Sequence, residues 1–209
     1  MSSPTDKKRG NADLEDLERL AEEIAGCTRC DLHLSRTHVV SGEGPAPAVI
    51  MCIGEAPGKK EDELGRPFVG RAGSILTGLL SDAGIQRDQA FITSVVKCRP
   101  PGNRDPKREE ISACKHFLFR QIGLVRPRVI VPMGRFATSV MMDFFGIPFT
   151  SFSSVRRREF PVSFQGYTLC IVPVYHPAVI THNPTRRGDL EDDFSYLKEV
   201  LKSTECDYE

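Results

Sequence analysis

Four cysteines fall into two spaced pairs. Cys27 and Cys30 form a C-x-x-C, and Cys98 and Cys114 bracket the proline-rich stretch "CRPPGNRDPKREEISAC". A lone C-x-x-C is shared by redox motifs and by chance, but a second pair beside it suggests four thiolates converging on one point. Such a set can hold a zinc ion or an iron–sulfur cluster, and either would pin the loop to the rest of the domain. Spacing alone does not separate zinc from iron. Cys52 and Cys170 lie inside apolar runs and read as packing residues, with Cys206 as a tail thiol.

A second group of residues suits bond cleavage at a planar ring. "GEAPG", Gly54 to Gly58, sets the carboxylate of Glu55 in a turn shaped by glycine and proline, with further acids at Glu61, Asp62 and Glu63. In "GRPFVG", Phe68 sits on a loop between glycines, where an aromatic ring can stack on a flat one. "YHP", Tyr175 to Pro177, supplies an imidazole at His176. Kept neutral, that imidazole could hydrogen-bond the negative charge growing on a departing heterocycle. Taken singly, each of these motifs is as readily structural; it is the combination that points to a site.

These residues need a scaffold that brings them to one rim. "NADLEDLERLAEEIAGC" spaces Leu14, Leu17, Leu20, Ala21 and Ile24 three or four apart, with Asn11 as a candidate cap, so a helix should deliver the chain to Cys27. Short apolar runs then alternate with helical patterns. Strands are expected in "APAVIMCIGE", "AFITSVVK", "RVIVPMG" and "YTLCIVPVYHP", and helices in "GSILTGLLSDAG", "KREEISACKHFLFRQIGLV", "RFATSVMMDFFG" and "DLEDDFSYLKEVLK". Continuous Val/Ile runs are what parallel strands covered on both faces require, so the expected fold is a three-layer α/β/α domain around a mostly parallel four-stranded sheet. "TSFSSVRRREFPVSFQGYT" could add a hairpin at one edge. In such sheets ligand groups gather at the carboxyl ends of the strands. The loops carrying Glu55, Cys98 and His176 should therefore share one rim.

The bulk numbers agree with one domain. The chain has 209 residues, 40% hydrophobic and 27% charged, enough to bury its own core. Its 28 basic and 28 acidic residues cancel, so any basic surface must come from local clusters. Such clusters occur at Lys97, Arg99, Arg104, Lys107 and Arg108, at Arg156 to Arg158, and at Arg186 and Arg187. No apolar run approaches a membrane span and the first residues lack the apolar core of a signal peptide, so a cytoplasmic, nucleoid-associated location is expected, with no membrane partner. Residues 1–12 read as a disordered tail, 13–202 as the domain and 203–209 as a second tail.

The motifs together resemble those of the family 4, iron–sulfur cluster-containing uracil-DNA glycosylases. The likeness runs from about Leu17 to Lys202 through "GEAPGKKEDELGRPFVGRAG", "VVKCRPPGNRDP" and "YHPA", and includes the cysteine pattern. It implies a uracil-DNA glycosylase-like fold and a monofunctional, monomeric enzyme that flips uracil out of single- or double-stranded DNA and leaves an abasic site. It also implies a [4Fe–4S] cluster on Cys27, Cys30, Cys98 and Cys114. By the same likeness Glu55 would orient or activate water, or pair with Asn103 to support the loop, and Glu61 would be a second acid. Phe68 would stack under the uracil and His176 would stabilise its anion. Gly54, Ala56, Ser94 and Asn103 would complete the base pocket, while Arg99, Arg104, Arg186 and Arg187 would grip phosphates.

One position departs from the family pattern. Four residues before Cys98 the family carries an asparagine able to bond a base edge bidentately, and here stands Ser94. A hydroxyl is shorter and offers one donor. Two consequences follow as alternatives: a base preference shifted toward other deaminated bases, or a cluster-bearing DNA-binding protein without catalysis. A zinc-stabilised structural module is a third.

Overall fold

The computed structural model describes residues 4–206. In chain order the strands are β1 (Ile50–Gly54), β2 (Ala90–Ser94), β3 (Val129–Pro132), β4 (Phe160–Phe164) and β5 (Tyr167–Ile171). The helices are α1 (Pro4–Ala25), α2 (Lys59–Leu64), α3 (Arg71–Asp82), α4 (Arg108–Val125), α5 (Gly134–Phe144), α6 (Phe152–Val155), α7 (Val179–His182) and α8 (Arg187–Cys206). The helical pattern thus runs back to Pro4 and on to Cys206, overlapping the stretches expected as tails; residues 1–3 and 207–209 lie outside the described residues.

The strands form one sheet in the order β2-β1-β3-β5-β4. The first four are mutually parallel, with Ile50 opposite Ala90 on one side and Val129 on the other, and Val129 opposite Cys170. The fifth corrects the expected four. β4 pairs antiparallel with β5 at the sheet edge, through a two-residue turn in which Gln165 and Gly166 have φ of 48° and 81°. Two successive positive φ values give the tight turn whose twist suits a hairpin. Alternate β4 residues are exposed, as an edge strand allows, whereas β1, β2 and β3 are buried throughout.

Strand alternation splits the core in two. Met51 and Ile53 face one side, packing with Leu20 and Ile24 of α1, Phe117, Leu118 and Ile122 of α4 and Met141 of α5. Ile50 and Cys52 face the other, against Leu76 and Leu80 of α3 and Phe194 and Leu197 of α8. The result is the α/β/α sandwich read from the sequence, with β1 between β2 and β3 and its carboxyl end opening on the site. Cys52 and Cys170 are buried in the strands they were assigned to as packing residues.

Candidate active site

The three loaded loops meet. Past the carboxyl ends of β1, β2 and β5 lies a cavity of about 400 Å³ whose walls include Glu55, Ala56, Phe68, Ser94, Asn103 and His176. Gly54 lies behind the Phe68 ring: a Cβ added there would stand 2.7 Å from the ring's Cζ and 3.3 Å from the Ser94 Oγ. Only a residue without a side chain lets the ring lie this close to the strand.

Phe68 itself takes a left-handed backbone, φ 50°, uncommon for an aromatic. Two features hold it. The Glu61 carboxylate accepts the N–H groups of Val69 at 2.9 Å and Gly70 at 2.8 Å. Gly73 packs its Cα so close that a Cβ would lie 1.8 Å from the Phe68 carbonyl oxygen. Glu61, expected as a second acid, thus has one oxygen engaged in closing the Phe68 loop.

His176 stands across the slot, its ring centroid 5.6 Å from that of Phe68 at a tilt of 36°. Its Nδ1 lies 3.1 Å from the Ala178 N–H, which donates to it. A nitrogen that accepts cannot carry the proton, so the proton sits on Nε2. Burial pushes the imidazole's pKa down to about 4, only partly opposed by Glu61, so the ring is neutral at physiological pH.

The Glu55 carboxylate makes no hydrogen bond or ion pair with any described residue, while its backbone carbonyl accepts the Val96 N–H at 3.2 Å. The expected pairing with Asn103 is absent, because the Asn103 Oδ1 instead accepts from the Arg99 Nε at 2.7 Å. Burial first, and then the neighbouring Asp105 charge, raise the Glu55 pKa to about 6, against the pull of Arg135. It is a carboxylate poised near neutrality with open lone pairs. Ser94, 3% exposed at the end of β2, likewise keeps its hydroxyl unbonded among the described residues.

The four arginines expected at phosphates all have protein partners. Besides Arg99, Arg104 forms a two-pronged pair with Glu110 at 2.6 and 2.9 Å. Arg186 donates to Asp189 at 2.8 Å, and Arg187 stands 3.7 Å from Glu191. Arg104 therefore ties the 98–114 segment to α4. Any phosphate contact by these side chains would be shared with these partners.

Cys27, Cys30, Cys98 and Cys114 line one cavity, between the end of α1 and the start of α4, and all four thiols are free. Arg36 donates to the Cys98 Sγ at 3.2 Å and to the Cys27 carbonyl at 2.9 Å, and the Lys97 N–H donates to the Cys114 Sγ at 3.3 Å. Such N–H donors favour thiolates. Burial works the other way, pushing Cys114 up to about 11, so a bound cation must draw the thiolates out. Among the described residues, no three His, Cys, Asp or Glu side chains close on a single point as a lone metal ion requires.

The uracil DNA glycosylase superfamily matches over residues 41–203. The chain is 44% identical over 188 residues to the "Type-4 uracil-DNA glycosylase" of Sulfurisphaera tokodaii, covering 90% of this chain and 86% of that one. It is 42% identical to the protein of that name from Archaeoglobus fulgidus, with 90% and 94% covered, and 44% identical to that of Thermotoga maritima, with 84% and 90% covered. The chain belongs to the type-4 uracil-DNA glycosylases.

Some parts of this type-4 site carry little signal in the sequence. Asp105, in the "GNRDP" loop, reaches the Glu55 side of the cavity. Its one signal is its place in a motif dominated by a cysteine and two arginines. Arg135 reaches Glu55 from the first turn of α5, in a stretch that reads only as an amphipathic helix. Lys97, 1% exposed, looked like one more member of a basic cluster.

Proposed function

We propose that the chain removes uracil from DNA by hydrolysing the bond between the base and C1′ of its sugar, leaving an abasic site. The observation that carries this reading is one slot bounded by an aromatic face, Phe68, a neutral imidazole with its proton on Nε2, His176, and an unpaired carboxylate, Glu55. An extruded base would rest on Phe68, recovering by stacking part of the few kcal/mol spent on unstacking it, about 1–3 kcal/mol per base. As the C1′–N1 bond breaks, its electron pair passes into the uracil ring, and the Nε2–H of His176 would donate to the oxygen on which charge grows. Glu55 would take the proton of the water that adds to C1′, and its negative charge would favour the cationic sugar. No lysine has to attack C1′, so the strand stays intact.

The four cysteines would hold a [4Fe–4S] cluster. Four free thiols around one cavity, two of them facing N–H donors, fit such a group, and the likeness to the type-4 family favours a cluster over a single zinc ion. When bound it would supply a fastening for the 98–114 segment and a positive centre that draws out the thiolates. The segment's own residues, through the Arg104–Glu110 pair, hold Asn103 and Asp105 toward the cavity. No described helix is long and apolar enough to cross a membrane. We read the protein as a monomer acting on DNA in the cytoplasm at the nucleoid.

The test is incubation with a uracil-containing oligonucleotide, followed by alkali to cut abasic sites. Excision by the natural protein and its loss in His176→Ala support the reading; no cleavage by either leaves the cluster-bearing DNA-binding alternative.

A second reading concerns base choice. The Ser94 hydroxyl faces the cavity unbonded, and a single short hydroxyl in place of an amide's bidentate grip gives up one hydrogen bond to the base edge, about 1–3 kcal/mol of discrimination. Cleavage of uracil, hypoxanthine and xanthine substrates by the natural protein and by Ser94→Asn should differ in ranking. Identical profiles would defeat the idea.

A further inference from the structure

Arg156, Arg157 and Arg158 form a basic run that reads from sequence as a solvated or DNA-facing cluster, yet the structure turns the first of them inward. The Arg156 Nε donates to the Asp193 Oδ1 at 2.7 Å, and its guanidinium lies over the Tyr175 ring with Cζ 4.1 Å from the centroid. The Arg157 Nε stands 3.7 Å from the same oxygen. Asp193, on α8, has 0% of its surface exposed. Its second oxygen, Oδ2, accepts the backbone N–H of Tyr175 at 2.7 Å.

The place of that N–H matters more than the ion pair. Tyr175 directly precedes His176, so the bond fixes the Val174–Tyr175 peptide, one residue before the imidazole leaves the strand end. Behind His176, Gly134 comes so near that a Cβ on it would lie 3.1 Å from the His176 Cβ. Ahead of it, the Ala178 N–H sets the ring nitrogen. Asp193 is thus the only side chain among the described residues that grips the backbone just before the imidazole, and a buried carboxylate would not be kept there without its two arginines.

We propose that Asp193 is a positioning residue for His176, fixing through the Tyr175 N–H the strand end from which the imidazole reaches the base slot, with Arg156 holding the carboxylate in place. The inference rests on His176 acting at the departing base. It assigns the Arg156–Asp193 pair to the alignment of the site and removes Arg156 from the surface available to phosphates.

Asp193→Asn separates the roles, because an amide offers one acceptor where the carboxylate offers two, so either the Tyr175 N–H or the Arg156 Nε then faces an NH₂ group. A displacement on the order of 1 Å costs up to about 100-fold in rate. Excision kinetics should show kcat lowered roughly 10-fold or more with KM within about twofold, and the ¹³Cε1 resonance of His176 should shift. The double variant Asp193→Asn with Arg156→Gln restores a matched network, since the introduced glutamine accepts from the amide and frees the amide oxygen for the Tyr175 N–H; kcat should recover to within about threefold of the natural protein. A folded single variant with unchanged kcat, or a double variant no better than the single, overturns the proposal. If Asp193→Asn yields no folded protein, Arg156→Lys keeps the charge and loses the Nε donor. It should show a smaller loss confined to kcat, and an unchanged kcat overturns the proposal equally. Natural protein inactive on uracil would sink the functional reading instead, and the His176 resonance in Asp193→Asn, shifted or unmoved, would still decide the positioning.

Discussion

The Lys97 ammonium donates to the Ser94 carbonyl at 2.7 Å, while the backbone N–H of the same lysine donates to the Cys114 thiol. One residue therefore joins the floor of the base cavity to the cysteine cavity. Its ammonium also reaches the Thr93 Oγ1 at 2.6 Å and the Gln121 Oε1 at 2.7 Å, and among the described residues no carboxylate pairs with it. Burial lowers its pKa to about 7. Lys97→Met would strand these acceptors in the core, at about 1–3 kcal/mol for each left unsatisfied. We expect a melting temperature lower by several degrees and excision weakened about 10-fold or more, read by thermal unfolding and single-turnover cleavage. Wild-type values in both would show that the link carries nothing.

Glu55 and His176 set opposite pH dependences. With Glu55 raised to about 6, the folded chain binds its proton more tightly than the unfolded chain does between the ordinary carboxylate range and pH 6. Its ionised form, the one that can take a proton from water, therefore works against folding as pH rises through that window. Activity should climb with pH through about 6 and then level, and Glu55→Gln should be inactive yet melt at or slightly above the natural protein. His176 has its pKa depressed to about 4, so the stability linked to its neutral form is present above the unfolded value and fades as pH falls toward 4. An activity profile flat from pH 5 to 8 would contradict the role given to Glu55.

Gly54→Ala should disable the slot without unfolding the domain. The added methyl would meet the Phe68 ring at 2.7 Å, and Glu61 and Gly73 hold the ring's backbone where it is. Excision should fall by about 10-fold or more, since stacking is worth about 1–3 kcal/mol per base. Gly78→Ala is the control. It lies in α3 with nothing within 4 Å of an added Cβ, and should keep full activity while stabilising the helix by up to about 1 kcal/mol. Equal losses in both variants would remove the special place given to Gly54.

Purified protein should be brown, absorb near 400 nm and contain iron and acid-labile sulfide in equal amounts. Cys98→Ser should lose this colour and, with it, part of the thermal stability, because coordination energy is folding energy when the ligands come from distant segments. One equivalent of zinc and no iron would replace the cluster by the structural-module reading.

The central sheet was legible because β1, β2 and β3 are buried on both faces and are apolar throughout except for Thr93 and Ser94 at the end of β2. β4 was harder to read: its residues are alternately exposed, and a half-covered edge strand is short of signal until its partner is known. Glu55, Phe68 and His176 are legible from motif and strand end, Ser94 only through the family likeness, and all four line one cavity. What sequence could not supply were pairings across long separations. Glu61 reads as a free acid because nothing local shows that the N–H groups of Val69 and Gly70 turn toward it. Arg104 reads as a phosphate contact because its bond to Glu110 depends on how the proline-rich segment folds back on α4. Arg156 and Asp193 stand 37 residues apart and meet only when the last helix packs.

The clasp of Glu61 on Val69 and Gly70 is made entirely of the chain's own groups and calls on no nucleic acid. Stacking therefore need not spend its free energy on ordering a loop, and can go instead into keeping an extruded nucleotide from swinging back. Such a surface lengthens the stay of a lesion once captured rather than hastening its capture, which suits a searcher that must release undamaged letters quickly and linger only on the rare one that falls in.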